Sequence, residues 1–571
     1  MLRLPSAAKL TDLKDRLVDV PGRVRVMARV ANQTGLMWQL NMPGLRATVE
    51  SLTRGSQNPS QMYRIHAAAT PNKIALRWRD QALTFAELEE RISRLGAGLV
   101  SRGVSRGSSL IIMMKNRPEF VETQNAATRI GAAAVSVSWR STPVELAYLA
   151  SHSGAKFVFF NPELWPTVEE ASRSLPHLKR SQFVVVGAGP GEAPEGVTRY
   201  EDLFDKASLN LSALGDGGDG AGGEEAAVVI YTSGTTGKPK GAVRKFPKDA
   251  FPAALRFIAQ TPMRVDDVHL VACPLYHSTA FAFLTLSQVL GATAVLMDEF
   301  KPEFFLRDVD HWGVTTTAVV PTMMHRVLAL EPEVIARYRT RSLRAIICGG
   351  APLPGPLGLR VMDHFGDILF NFYGATETGL VTLANPQDLR AAPGTIGRPI
   401  PGNEIRLLDD AGLEVARGEV GELYVKNKLM VSGYHKDEEA TAASMREGFF
   451  SVGDLARKDR DGRYFIEGRK RDMIISGGVN IYPAEVESAL EAHPDVAEVA
   501  VVGVEDAEWG ERVRAFVVAR PGSQLDDAFL KTWTRERLAG PKVPRDFVFL
   551  DALPRNATGK VIKRDLRVWR A

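Results

Sequence analysis

From Pro71 onward, short apolar runs alternate with segments whose apolar residues recur every three or four positions. Lys73–Arg79 reads as a strand. Thr84-Phe85-Ala86-Glu87 has the form of a capping box, and Leu88, Ile92, Leu95 and Leu99 follow at helical spacing. Gly103 predicts the end of that helix. Ser109–Met114, Ala132–Val137 and Lys156–Phe160 are further strand-like runs. Alternation of this kind predicts an α/β fold with a largely parallel sheet. From Gly421 the rhythm shortens to strands joined by turns, among them Glu422–Val425 and Arg463–Glu467, with Asp461-Gly462 as a hairpin signal. A βα-rich region begins near Met473. These changes divide the chain into a leader of uncertain role (1–58), a large domain (59–469) and a small domain (470–571). The boundary falls at Gly468–Asp472, and no internal repeat is visible.

The stretch Pro274 to Met297 is apolar and uncharged over a length that could span a membrane. His277, Ser278, Thr285, Ser287, Gln288 and Gly291 interrupt it. It is therefore read as a buried helix ending near Gly291, then a strand Ala292–Met297. No signal peptide is evident at the N-terminus. The leader instead mixes Leu and Val with Lys9, Lys14, Arg16, Arg23, Arg25 and Arg29, and with Asp12, Asp15 and Asp19. A packing extension is the expectation, and contact with an anionic membrane is the alternative. Gly215–Glu225 is almost all Gly, Asp and Glu and reads as a surface connector.

Of the 571 residues 45% are hydrophobic, enough for a large core. With 71 basic against 67 acidic residues, charge gives no reason to expect nucleic-acid binding. The two cysteines, Cys273 and Cys348, lie in apolar runs and read as buried thiols of a reducing, cytoplasmic compartment.

One loop carries chemistry. After the apolar strand Ala226–Tyr231 comes Thr232-Ser233-Gly234-Thr235-Thr236-Gly237-Lys238-Pro239-Lys240-Gly241. Its glycines let backbone N–H groups approach an anion, its hydroxyls add donors and its lysines add positive charge. It is not a Walker A loop, because Pro239 stands where Ser or Thr is needed after Gly237-Lys238.

Tyr231–Gly241 resembles the signature loop of the acyl-adenylate-forming superfamily. Asn371-Phe372-Tyr373-Gly374-Ala375-Thr376-Glu377-Thr378 resembles the Y-G-x-T-E block of that family. Ser451-Val452-Gly453-Asp454 resembles its [ST]-G-D block. Gly468-Arg469-Lys470-Arg471-Asp472 and Ser476-Gly477-Gly478-Val479-Asn480-Ile481 resemble its hinge and glycine motif. Pro554-Arg555-Asn556-Ala557-Thr558-Gly559-Lys560 resembles its terminal lysine motif. The blocks stand in family order from about Thr70 to Lys563, and only the leader falls outside.

The resemblance implies a large adenylation domain of stacked sheets and a small mobile α/β domain. It implies ATP, Mg²⁺ and coenzyme A, with acyl-AMP formed first and a thiol displacing AMP second. Thr232, Ser233, Gly234, Thr235, Thr236, Gly237, Lys238 and Lys240 would hold phosphates, and Glu377 would ligate Mg²⁺. Thr376 would bond the α-phosphate. Tyr373 would offer a flat face to the adenine, with Gly349, Gly350, Ala351 and Pro352 on its other side; Asn371 and Gly374 are further cofactor-binding positions, and Asp454 with Arg469 would take the ribose. Lys560 would be the adenylation lysine. Arg471 stands at the hinge where the family usually has Asp or Lys. Rotation there would withdraw Lys560 and present Gly477 and Gly478 beside the pantetheine.

Pro274-Leu275-Tyr276-His277 resembles the family's acyl-pocket motif, with His277 as a positioning or gating side chain. Val319, Val320, Pro321, Gly349 and Ala375 are expected pocket residues, and none offers a charge to an amino acid. A hydrophobic carboxylic acid is expected, a fatty acid first and an aryl acid second. An acyl-AMP ligase and a membrane-associated transport and activation protein are the alternatives. A homodimer is left open.

Overall fold

The computed structural model describes residues 30–35, 41–53, 59–204, 227–232, 240–245, 250–431, 433, 437–555 and 561–569. Six helices matter below: α1 (Met42–Thr53), α2 (Ser60–Ala69), α3 (Phe85–Ser101), α4 (Ala250–Ile258), α5 (Ser278–Leu290) and α6 (Pro483–Glu491).

The capping box at the start of α3 is formed. The Glu87 N–H donates to the Thr84 hydroxyl oxygen at 3.2 Å, and the Thr84 N–H donates to the Glu87 carboxylate at 2.8 Å. Leu88, Ile92, Leu95 and Leu99 are all fully buried, so the predicted apolar stripe is the packed face. Beyond α3, Gly103 takes φ +84°, the left-handed backbone that glycine adopts without strain.

Two large sheets make the first part of the chain. Seven strands form one, ordered Thr198–Arg199, Phe183–Val185, Ala155–Phe160, Ser109–Met113, Ala133–Ser136, Ala227–Thr232 and Lys240–Lys245. All its pairs are parallel except the last, in which Ala227 to Thr232 face Lys245 to Lys240. The other has nine strands, with a parallel run through Ile74–Trp78, Thr293–Leu296, Val268–Val271, Thr316–Val319, Ala345–Cys348 and Leu369–Ala375. Antiparallel strands close both its edges. Such strands are buried on both faces, and Ala345–Cys348 is buried at every position.

The apolar stretch after Pro274 divides as its interruptions predict. It forms α5, then Gly291 in the left-handed region at φ +65°, then the strand Thr293–Leu296. No helix among the described residues is long and apolar enough to cross a membrane. Cys273 and Cys348 are both buried free thiols, and burial pushes Cys273 up to about 12.

A third, antiparallel sheet is built on Glu404–Leu408, Val420–Lys426, Phe449–Lys458 and Tyr464–Arg469. The predicted turn lies between its last two strands, with Gly462 at φ +81°. A fourth sheet begins at Ile474 and packs against α6 and the helix Asp527–Arg535. Gly477 and Gly478 form the two-residue turn of its first hairpin, and both have positive φ, as that turn geometry requires. Leader residues also belong to the packed structure. Val30 is 1% exposed among side chains of α4 and α5, and α1 lies on α2. The segment 215–225 and residues 1–29 lie outside the described residues.

Candidate active site

A cavity of about 2240 Å³ opens at the C-terminal ends of the nine-stranded sheet and reaches the third and fourth sheets. This is where open parallel sheets place ligands, since their strand ends stop while the connecting loops diverge.

The strand Leu369–Ala375 delivers the first group. Its buried half is core, and Phe372 packs on Phe283 with ring centroids 5.2 Å apart. Its end turns toward the cavity. A Cβ on Gly374 would sit 2.0 Å from the Gly379 carbonyl oxygen, so the tight return of the chain requires glycine. The turn is held from several sides. The Ala375 N–H donates to the Thr378 hydroxyl, Asn427 donates to the Thr378 carbonyl at 2.9 Å, and the Val431 N–H donates to the Glu377 carbonyl at 2.8 Å. Thr376 and Glu377 therefore face the cavity from fixed backbone, 9% and 7% exposed. The Thr376 hydroxyl donates to the Ser278 hydroxyl oxygen at 3.1 Å, which joins this turn to the first residue of α5.

Asp454, in the strand Phe449–Lys458, enters from the third sheet. One carboxylate oxygen accepts from the Tyr373 hydroxyl at 2.8 Å and the other from Arg469 Nε at 3.2 Å. Burial, then the Asp454 charge, holds the Tyr373 phenol well above its ordinary range, so it stays a donor. Tyr373, expected to offer its flat face to the adenine, also orients Asp454 through its hydroxyl. Gly350 (φ +77°), Ala351 and Pro352 line the cavity beside them. Asn371 is buried and donates to the Thr395 carbonyl at 2.8 Å, which ties its strand to the loop before Arg398.

His277 stands at the N-terminal end of α5, its ring 4.2 Å from that of Tyr276. Ser278, Ala282, Thr285 and Val289 follow along the cavity face of the same helix. Ala254 and Leu255 of α4 and Met62 and Ile65 of α2 line the same cavity. Val320, Pro321 and Ala375 line the cavity too. Val319 and Gly349 sit behind this wall, and a Cβ on Gly349 would meet the Phe372 ring at 2.4 Å.

Arg471 lies in the single turn Lys470–Asp472 and also lines the cavity. Gly477 and Gly478 do not. They are exposed, and the Gly477 N–H donates to the Trp509 carbonyl at 2.8 Å. Ser233, Gly234, Thr235, Thr236, Gly237, Lys238 and Lys560 lie outside the described residues, and for Thr232 and Lys240 only the backbone pairing is described. The residues on both sides of those gaps are placed. Ile230 and Tyr231 line the cavity, as do Arg555 and Val561.

Sequence reading missed three contributors. Ser278 partners Thr376, and its place directly after the Pro274–His277 motif was the available signal. Glu422 accepts from Ser451 at 2.7 Å and pairs with Lys470 at 3.1 Å, which ties the block containing Asp454 to the turn Lys470–Asp472. The leader was the third.

Residues 63–435 match the AMP-binding enzyme family, and residues 485–560 match the AMP-binding enzyme C-terminal domain. Feruloyl-CoA synthase of Amycolatopsis sp. is 35% identical over 506 residues, covering 88% of this chain and 96% of that protein. The fatty acid–[acyl-carrier-protein] ligase ScoC of Streptomyces coeruleorubidus is 31% identical, covering 88% and 94%. Among solved structures, o-succinylbenzoate CoA synthetase (MenE) of Bacillus subtilis in complex with its acyl-adenylate intermediate superposes with a TM-score of 0.74 at 30% identity, covering 89% and 98%. The same enzyme with ATP and magnesium ion gives a TM-score of 0.75, covering 88% and 98%.

Proposed function

The chain belongs to the family of AMP-binding enzymes, and from that premise we propose that it is an AMP-forming acid–thiol ligase that makes an acyl-CoA from a hydrophobic carboxylic acid. The observation that carries this reading is one cavity holding both ends of the chemistry. Asp454, Thr376 and Glu377 stand at its polar end, and an apolar groove leads away from them along α5.

In the first half-reaction a carboxylate oxygen of the acid attacks the α-phosphorus of ATP. A bond forms to the acyl oxygen, and the bond to pyrophosphate breaks. Asp454, already oriented by Tyr373 and Arg469, has the acceptor oxygens that ribose hydroxyls need. Thr376 supplies a hydroxyl at the neck between the polar end and α5, where the α-phosphate must meet the acid. Glu377 offers the hard oxygen donor that suits Mg²⁺, which would neutralise phosphate charge there. Lys560 is the cation for the developing charge, and the loop through Ser233–Lys238 holds the departing pyrophosphate. His277 positions the acid at the start of the groove.

In the second half-reaction the thiolate of coenzyme A attacks the acyl carbonyl carbon and AMP leaves. We assign the domains as 59–469 and 470–571, with Arg471 at the hinge. Rotation there brings the exposed Gly477-Gly478 turn to the cavity and takes Lys560 away.

For the acid we favour an elongated aliphatic chain, a medium- or long-chain fatty acid. The groove supports this, because it continues along the whole of α5 from Ser278 to Val289 with Ala282 as its small central residue. The name of the ScoC ligase points the same way. A second reading, an aryl acid, is favoured by the names of feruloyl-CoA synthase and o-succinylbenzoate CoA synthetase. AMP release across straight-chain and aromatic acids, with and without coenzyme A, separates the readings. CoA-dependent turnover of the longer straight-chain acids is expected. Turnover confined to aromatic acids would replace the fatty-acid assignment.

A further inference from the structure

The family match begins at residue 63, yet Val30, Ala31, Gly44 and Thr48 line the cavity. These residues are firmly held. Val30 packs among Leu255, Phe257, Phe283 and Leu286. Gln33 Nε2 donates to the Thr261 carbonyl at 2.8 Å, and the Val265 N–H donates to the Thr34 carbonyl at 2.9 Å. Further along, α1 lies against the end of α2. A Cβ on Gly44 would come within 2.7 Å of the Ala69 Cβ, and Asn41 Nδ2 donates to the Ala69 carbonyl at 2.7 Å. The small residues Gly44 and Ala69 therefore let the two helices approach closely.

Their place along the groove follows from α5. Its first residue, Ser278, accepts from Thr376 at the reacting end. Val289 lies eleven residues on, about 16 Å away at the helical rise. The leader packs at that far end. Val289 shares a core cluster with Val30 and Met62. At the C-terminus of α5, a Cβ on Gly291 would meet the His66 ring of α2 at 2.6 Å. So α2 crosses the end of α5, and α1 lies on α2. Thr48, one turn after Gly44, faces the same cavity, and its hydroxyl is turned back onto the Gly44 carbonyl at 2.8 Å. With the hydroxyl so occupied, the methyl-bearing side chain is a modest steric stop rather than a polar reader.

We propose that the leader residues around Val30 and along α1 form the end wall of the acyl groove and that Thr48 sets the greatest length of straight-chain acid the site accepts. This rests on the reading that the acid lies along α5. The test uses the full chain and a graded series of straight-chain acids, measuring kcat/KM from CoA-dependent AMP release. Thr48→Phe is expected to cost the longest acids about 10-fold or more relative to the shortest, the size expected when a pocket can no longer take an added methylene. Thr48→Ala is expected to move the preference the opposite way, and because it only removes atoms it guards against a misfolded bulky variant. Identical rankings in wild type and both variants, or equal loss on every acid, would overturn the proposal. A wild type that turns over no straight-chain acid overturns the underlying reading as well, and is distinguished by the absence of any ranking.

Discussion

At one end of the cavity Tyr373, Thr376 and Asp454 bring hydroxyl and carboxylate oxygens together, each held by a hydrogen bond to a named partner. At the other end Ala254, Leu255, Met62, Ile65 and Val289 present hydrocarbon. The polar end tolerates little change, because a partly buried hydroxyl or carboxylate must find partners at fixed distance. The apolar end asks only for volume and shape, which many residue combinations supply. Mutations should therefore act differently at the two ends: rate of a half-reaction at one, choice of acid at the other.

The largest expected effect concerns the polar end. Lys560→Ala should lower acyl-AMP formation by about 10²–10³ or more, the scale of losing a group that stabilises developing charge. Thioester formation from supplied acyl-AMP should stay largely intact. Rapid-quench measurement of each half-reaction checks this, and equal loss of both would break the assignment.

A smaller effect is expected in the groove. Ala282→Phe should reduce kcat/KM for long acids by about 10-fold relative to short ones, with KM for ATP little changed. A rise in the KM for ATP comparable to the loss on the acid would blur the distinction between the two ends.

The smallest effect bears on the small domain that shares the cavity wall. Burial, and then the neighbouring charges of Glu487 and Glu498, push Glu491 of α6 from 4.5 up to about 8. The folded chain thus holds this proton more tightly than the unfolded chain. Its stabilising contribution is complete below the unfolded value and is lost as pH rises through about 8. Thermal melting followed from acid to mildly alkaline pH should show a fall of a few degrees in wild type. Glu491→Gln should flatten that fall, and an unchanged slope would remove Glu491 as its source.

These ends also differ in how well they could be read from the chain. Each polar residue belongs to a short block, such as Asn371–Thr378 or Ser451–Asp454, in which a tight turn and a reactive side chain are neighbours in sequence. Helix α3 and the turn at Gly462 were equally plain, because caps, periodicity and glycine signals are local. The groove was not plain. Met62, Leu255 and Val289 lie far apart in the chain and meet only through tertiary packing. Thr48 looked like part of an extension because nothing local marks a residue as an end wall. Glu422 was missed for a similar reason, since its partners Ser451 and Lys470 lie on other strands or turns.

The proposed function requires one cavity first to make an acyl-adenylate and then to pass the acyl group to a thiol. The most direct measurement is AMP release by the purified full chain with ATP, magnesium and a panel of straight-chain and aromatic acids, with and without coenzyme A. AMP release should require both an acid and coenzyme A, be highest with elongated hydrophobic acids, and be matched by acyl-CoA in equal amount; this is the result expected of the proposed function. Pyrophosphate release indifferent to coenzyme A, with acyl-AMP accumulating and neither free AMP nor a thioester formed, would contradict it.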